Sequence, residues 1–295
     1  MAQFLAIANR KGGVGKSTIS VMIAHAAALW GGKRVLLMDL DSQCNATLIL
    51  IGGQGWSEAR KAGQTIADYF YELFDGNNPQ PREYLKHSVS DLVDAKGKKP
   101  RISLLPGSLL LEDVQGELFV KQARESRDPE IVGQQVRGKL ERLLRRFAGS
   151  YDLVILDCAP GLSLAALAAL KTADRVLVPF RPDYVSQLAV DRVSLLIEGK
   201  RTLDDVEETP RAERRYVCVA NGVRAGTRDQ MLVDEIEAAH PVLTTQLPML
   251  DAIADAFDWD PRPKTIDEKY GAATAALRQL YEEIDQNLLR LEPAA

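Results

Sequence analysis

Residues 10–18 read Arg10-Lys11-Gly12-Gly13-Val14-Gly15-Lys16-Ser17-Thr18, and what flanks them decides how the chain is read. Before them stands the apolar run FLAIAN (4–9), strand-like in composition; after them a helical pattern runs from Lys16 to Trp30. A glycine-rich turn between a strand and a helix lets successive backbone N–H groups close around phosphate oxygens, and the helix start adds partial positive charge. In such a loop Gly12, Gly13, Val14 and Gly15 supply the cradle and Thr18 opens the helix behind it. Lys16 reaches the β- and γ-phosphates, and the Ser17 hydroxyl holds Mg²⁺. The strict pattern G-x-x-x-x-G-K-[ST] asks for glycine at position 10, where this chain has Arg10.

Working outward, RVLLMDL (34–40), YDLVILD (151–157), DRVLVPF (174–180) and RRYVCVAN (214–221) are further strand-like runs. Several lack polar alternation, as strands covered on both faces do. Helical patterns between them, clearest over Gln134 to Phe147 and Ser186 to Glu198, predict an α/β fold with a mostly parallel sheet and helices on both faces. A last helix near Glu268 to Leu291 spaces Leu277, Leu280, Tyr281, Ile284, Leu288 and Leu291 as one apolar stripe. Gly52 to Pro100 carries the breaker clusters GGQGW, DGNNPQP and DAKGKKP around a helical piece near Thr65 to Phe74, and reads as a variable surface excursion. Gly199 to Arg211 is charged and aperiodic. With no internal repeat or composition break, residues 1–295 are expected to form a single domain.

Composition narrows the function classes. Thirty-seven Lys+Arg against 41 Asp+Glu give a net charge of −4, so global basicity is no argument for nucleic acid. Cys44, Cys158 and Cys218 are scattered and unpaired, which excludes a disulfide framework and fits a reducing cytosol. His25, His87 and His240 lack metal-ligand spacing. No apolar stretch approaches the roughly 20 residues that span a bilayer.

The segment KGGVGKS resembles the deviant phosphate loop of the ParA/MinD family of ATPases, whose extra lysine sits just before the glycine pair. Two more segments agree in order and spacing. Asp39-Leu40-Asp41-Ser42-Gln43-Cys44-Asn45-Ala46-Thr47 is similar to that family's DxDPQGNAS/T segment, with Ser42 for proline and Cys44 for glycine. Asp157-Cys158-Ala159-Pro160 is similar to its DxxP segment. Weaker similarity continues through VPFRPDYVSQLAV, VANGVRAGTRDQ, QLPMLDAIADAF and KYGAATAAL, leaving out much of Gly52 to Pro100.

Acids at strand ends meet a phosphate loop because ligands of parallel sheets bind beyond the strands' carboxyl ends. Asp157 is expected to bind Mg²⁺ through water, and the resemblance implies that Asp41 orients the attacking water while Asp39 supports the metal. A helix cap is the plainer reading of Asp41. By the same resemblance Asn221 reads the adenine edge, though a turn asparagine before Gly222 is equally compatible. Pro248, within Leu247-Pro248-Met249, would flank the base. Lys11 has no evident task toward its own ATP; the resemblance implies that it reaches a partner's ATP across a two-fold interface.

Basic residues occur in two runs. Arg137, Lys139, Arg142, Arg145 and Arg146 lie on one predicted helix; Arg211, Arg214, Arg215, Arg224 and Arg228 cluster later. Such runs are usually solvated faces. The resemblance points to the second as a non-specific DNA face. It implies a cytoplasmic, nucleoid-associated ATPase that forms an ATP-dependent sandwich homodimer, binds DNA and positions a plasmid, chromosome or protein cargo with a ParB-like or adaptor partner. The first strand begins at residue 3, so an N-terminal operator-binding domain is not expected. A MinD-like membrane ATPase for division-site placement is the alternative. It calls for a basic amphipathic tail, whereas YEEIDQNLLRLEPAA is acidic with one arginine, so no membrane contact is expected. An iron–sulfur carrier would need paired cysteines, and a metabolic kinase an acceptor site the sequence does not reveal.

Overall fold

The apolar runs become strands of one eight-stranded sheet in the computed structural model, which describes residues 2–124, 128–161 and 163–289. They are β1 (Gln3–Ile7), β2 (Val35–Leu40), β3 (Lys86–His87), β4 (Ile102–Leu105), β5 (Leu153–Cys158), β6 (Arg175–Phe180), β7 (Tyr216–Val223) and β8 (Leu247–Pro248). Their order across the sheet is β3-β4-β2-β5-β1-β6-β7-β8, parallel among the described residues except for β3 on β4. The helices are α1 (Lys16–Leu29), α2 (Asn45–Lys61), α3 (Ile66–Phe74), α4 (Leu111–Ala123), α5 (Pro129–Arg145) and α6 (Leu164–Thr172). After them come α7 (Ser186–Glu198), α8 (Leu203–Glu207), α9 (Thr227–Ala239), α10 (Asp251–Asp255), α11 (Ile266–Tyr270) and α12 (Thr274–Leu289).

Every residue of β2, β5 and β6 is buried, which is why these runs carry no polar alternation. Alternate side chains serve opposite faces. Leu36, Met38, Val154 and Leu156 pack with Phe70 of α3, Val114 of α4, Leu140 of α5 and Ala165 of α6. Val35, Leu37, Leu153 and Ile155 pack with Ile19 and Ile23 of α1 and with Leu277, Leu280 and Ile284 of α12. The apolar stripe of the last helix therefore docks as expected over Leu277 to Ile284; the side chain of Leu288 and all of Leu291 lie outside the described residues. That helix is nonetheless broken. Gly271, at φ 47, ends α11, and a 3-10 turn over Gly271–Ala273 precedes α12.

The 52–100 stretch is more than a surface excursion. Its α3 buries Ile66, Tyr69 and Phe70 in the core, with Thr65 and Asp68 forming a reciprocal cap at its start. The cluster GGQGW does break the helix, as expected, but only at one point: Gly52 takes φ 67 and ψ 173, so α2 is two helical pieces joined at a kink. Trp259 fills the space of the missing side chain: a Cβ there would lie 2.8 Å from its ring. Farther on, His25 of α1 bonds the Tyr270 hydroxyl and the Ser90 hydroxyl, each at 2.8 Å. The buried Lys269–Asp91 pair at 2.5 Å pins the same return. The charged Gly199 to Arg211 stretch contains α8, opened by a second reciprocal cap between Thr202 and Asp205. Among the described residues no helix is long and apolar enough to cross a membrane.

Candidate active site

Between β1 and α1 the chain makes the turn that residues 10–18 prescribe. Gly13 and Gly15 take φ 72 and 91, a region that disfavours side chains. Gly15 is also sterically fixed, since a Cβ there would lie 2.2 Å from Asn221 Nδ2. Asn9, buried behind the loop, accepts from the Lys11 N–H at 3.0 Å and donates to the Pro179 carbonyl at 2.8 Å, tying the loop entrance to β6. The Lys16 ammonium folds back to the Lys11 carbonyl at 3.2 Å. Burial lowers its pKa, and the nearby Asp157 and Asp41 partly offset that.

Sheet register brings the acids to this loop. Asp39 of β2 and Asp157 of β5 are direct register partners, and Asp157 also stands opposite Ile7 of β1. One oxygen of Asp157 accepts from Ser20 Oγ at 2.9 Å; the other, Oδ2, is buried without a partner among the described residues. Burial, then the neighbouring Asp39, pushes the Asp157 carboxyl pKa up, while the Ser17 and Ser20 hydroxyls oppose the shift. An orphaned carboxylate oxygen beside a loop hydroxyl fits a hydrated divalent cation between Asp157 and Ser17.

Asp39 does not fit the metal role expected of it. Its Oδ1 accepts from the Asp41 N–H at 3.2 Å, and its Oδ2 from the Thr47 N–H and hydroxyl at 2.9 and 2.6 Å. Both oxygens are therefore committed to the fold, and Thr47 passes the link to the Gly107 N–H at 2.8 Å. Among the described residues no three His, Cys, Asp or Glu side chains converge on a metal position. Asp41 keeps its place at the strand end, with one oxygen accepting from the Gln43 N–H at 2.9 Å. Cys44, where the resemblance has glycine, takes φ 56 and precedes α2 in a left-handed turn.

A cleft of about 520 Å³ gathers most of the expected residues: Gly12, Gly13, Gly15, Lys16, Ser17, Thr18, Asp41, Asn221 and Pro248. Met249, Leu250, Ile253 and Phe257 complete an apolar wall by Pro248 that suits a planar base. Val14 is buried, its carbonyl accepting from Asn221 Nδ2 at 2.9 Å. Lys11 points elsewhere, ion-paired to Asp183 and 3.5 Å from the Ser186 hydroxyl. Lys11 thus has a partner within its own chain, which the sequence did not disclose. Nor did the sequence single out Asn9, Ser20, Thr47 or Asp183; only Ser20, four residues beyond Lys16 on α1, carried a helical-spacing signal. A wider groove of about 850 Å³ between α3 and α4, lined by Tyr71, Glu112 and Lys121, holds no phosphate-loop residue.

The five arginines read as a DNA face do not share one. Arg214 is buried, its guanidinium donating to the Thr209, Ala239 and Glu207 carbonyls. Arg215 donates to Ile197, Leu170 and Ala173 carbonyls, and Arg211 to that of Ala238. These three precede β7, whereas Arg224 and Arg228 follow it; eight residues of strand set the groups roughly 26 Å apart. Arg214 and Arg215 are structural clamps. Arg224 and Arg228 remain exposed near the cleft, Arg224 Nε 3.3 Å from Met249 Sδ and Arg228 over the Tyr184 ring. On the other basic run, Arg145 donates to the Thr172 carbonyl and Arg146 to Asn78.

Comparison with known proteins agrees with this geometry. Residues 2–208 match the AAA_31 family, described as an AAA domain. The chain is 32% identical over 201 residues to the sporulation initiation inhibitor protein Soj of Bacillus subtilis, a match covering 68% of this chain and 66% of that protein, just under two thirds. It is 28% identical over 297 residues to the chromosome partitioning protein ParA of Caulobacter vibrioides, covering 99% of this chain and 97% of that one. Its fold is that of the septum site-determining protein MinD from Pyrococcus horikoshii complexed with Mg-ADP (TM-score 0.65, 18% identity, 97% of each chain). Phosphate loop, strand-end acids and sequence relatives agree: the chain belongs to the ParA/MinD family of P-loop ATPases, within the AAA-domain group.

Proposed function

We propose that this chain is a partition-type ATPase: it hydrolyses ATP, closes into a two-fold sandwich dimer when ATP is bound, and holds DNA without sequence preference to position a cargo. The observation carrying the proposal is the pairing of Lys16 and Ser17 with the unpartnered buried oxygen of Asp157 at the foot of a cleft that also holds Asp41. Ser17 and Asp157 would hold Mg²⁺, which when bound neutralises charge on the β- and γ-phosphate oxygens. Lys16 and the loop N–H groups position the triphosphate. Asp41 at the cleft edge orients the attacking water, a contribution made mainly in the transition state. Asn221, bonded to the loop through Val14, presents its amide toward the base.

Support for the dimer comes from the thin loop at Gly12, where a Cβ would meet nothing within 4 Å, so another protomer can approach closely. Tyr184, Val185 and Leu188, close to Asp183 of the Lys11–Asp183 pair in sequence, are exposed apolar side chains. DNA contact would go to phosphates through Arg224 and Arg228, in a cytoplasmic, nucleoid-associated protein whose ParB-like or adaptor partner stimulates hydrolysis. Phosphate release from Mg-ATP, with and without duplex DNA of unrelated sequences, tests the reading. Turnover accompanied by ATP-dependent, salt-sensitive and sequence-indifferent binding is expected. A protein that binds ATP but releases no phosphate overturns the enzyme reading, and sequence-selective binding overturns the partition reading.

A further inference from the structure

The cleft described above is lined by two cations, Lys16 and Arg181, and only Lys16 belongs to the phosphate loop. Arg181 follows Phe180, the last residue of β6, and so stands at the edge of the sheet where ligands bind. Its side chain runs over the Gly222 turn: a Cβ built on Gly222, at φ +71, would lie 3.8 Å from Arg181 Nε. Among the described residues its guanidinium has no hydrogen bond or ion pair. Arg34, Arg214, Arg215 and Arg262, by contrast, donate to carboxylates or carbonyls.

Charge makes this freedom informative. Asp41 and Asp251 line the cleft, Asp39 and Asp157 lie beneath it, and Lys11 is turned onto Asp183. A triphosphate adds several negative charges to a site where, apart from the Mg²⁺ it would bring, Lys16 is the phosphate loop's own cation. A planar guanidinium with five donors matches phosphate oxygens. Strand order sets which part of the nucleotide it meets. β6 lies between β1, whose loop takes the phosphates, and β7, whose Asn221 faces the base.

We infer that Arg181 is a second phosphate-binding cation acting within its own chain, gripping the polyphosphate near its α-phosphate from the side opposite Lys16. The inference rests on the ATPase reading and adds to it a residue to which the quoted segment VPFRPDYVSQLAV gave no role. Calorimetric titration of wild type, Arg181→Ala and Arg181→Lys with ATP, ADP and adenosine tests it. Arg181→Ala is expected to weaken ATP and ADP about tenfold or more, the scale of a lost charged hydrogen bond, and to leave adenosine unchanged. Arg181→Lys should recover part of the loss, and ATP affinity of the alanine variant should fall less steeply with salt. Equal losses for ATP and adenosine would make Arg181 part of the base wall and overturn the inference. So would unchanged ATP and ADP affinity. Wild-type protein that binds none of the three ligands overturns the ATPase reading itself, an outcome distinct from both.

Discussion

The ammonium of Lys11 is ion-paired to the carboxylate of Asp183, a residue 172 positions later in the loop between β6 and α7. Asp183 also accepts from the Ser186 hydroxyl at 3.0 Å, so the lysine is held against the start of a helix and not over its own cleft. A trans role for Lys11 requires this pair to open. Both side chains are partly exposed, and such pairs contribute about 0–1 kcal/mol. Two such pairs open per two-fold dimer, so Asp183→Ala is expected to raise the ATP-dependent dimerisation constant by up to about thirtyfold. Lys11→Ala should abolish the dimer while monomeric ATP binding survives. Sedimentation with a slowly hydrolysed ATP analogue reads both variants, and an unchanged dimer fraction in Lys11→Ala sinks the trans role.

Asp41→Ala should leave Mg-ATP affinity largely intact and lower turnover strongly, because orienting water acts in the transition state. Affinity from titration is compared with steady-state phosphate release. Turnover retained within about threefold, under 1 kcal/mol of barrier, would leave Asp41 only its bond to the Gln43 N–H.

Thr47→Val removes the hydroxyl that donates to Asp39 and accepts from the Gly107 N–H. Asp39 Oδ2 keeps the Thr47 N–H, but the buried Gly107 N–H is stranded, which should cost about 1–3 kcal/mol, seen as a lower urea midpoint with an unchanged slope. Stability equal to wild type would mean that the Thr47 hydroxyl is not a structural link between Asp39 and Gly107.

The arginines separate into stabilising and DNA-facing sets. Arg214→Ala is expected to destabilise by about 1–3 kcal/mol, since carbonyls of Thr209, Glu207 and Ala239 lose their buried donor. The folded fraction should bind DNA normally. Arg224→Glu with Arg228→Glu should keep wild-type stability and lose ATP-dependent binding to unrelated duplexes alike. Unimpaired binding in that double variant would place the DNA face elsewhere.

His25 and His240 give stability a pH dependence of definite sign. Burial holds the pKa of each below the usual value, for His240 despite Asp191 at 2.8 Å. An unfolded histidine takes its proton near pH 6.5. Below that pH the unfolded chain binds protons that the fold refuses, so their contribution is complete above about pH 6.5 and lost as pH falls. The buried Asp157 carboxyl, whose pKa is raised, acts with the opposite sign, so the histidine part is read as the difference in melting temperature between wild type and His25→Asn from pH 8 to 5. That difference should be level above about pH 6.5 and change below it; a difference constant down to pH 5 would rule out His25 as a source of pH dependence.

Strand positions were legible because β2, β5 and β6 are buried on both faces, which leaves uninterrupted apolar runs. The phosphate loop was legible because its glycines answer a local backbone demand. The Lys11–Asp183 pair, the Asp39–Thr47–Gly107 relay and the Arg181 seat were not, since each depends on register between strands or on loops distant in sequence. Arg214 and Arg215 misled for a related reason: composition shows charge, but not whether a guanidinium meets solvent or backbone carbonyls. GGQGW was legible as a break, but not as a kink between two helical pieces, because the Trp259 ring packed on Gly52 comes from a distant loop.

Asn221 rests on the phosphate loop itself, at Val14 and against the face of Gly15. The loop is synthesised well before this amide. During translation a complete set of phosphate-binding glycines thus emerges with nothing to brace it, and waits through roughly two hundred residues for its keeper. A firm hold on the nucleotide consequently waits for β7, after most of the sheet that supports the loop has been made.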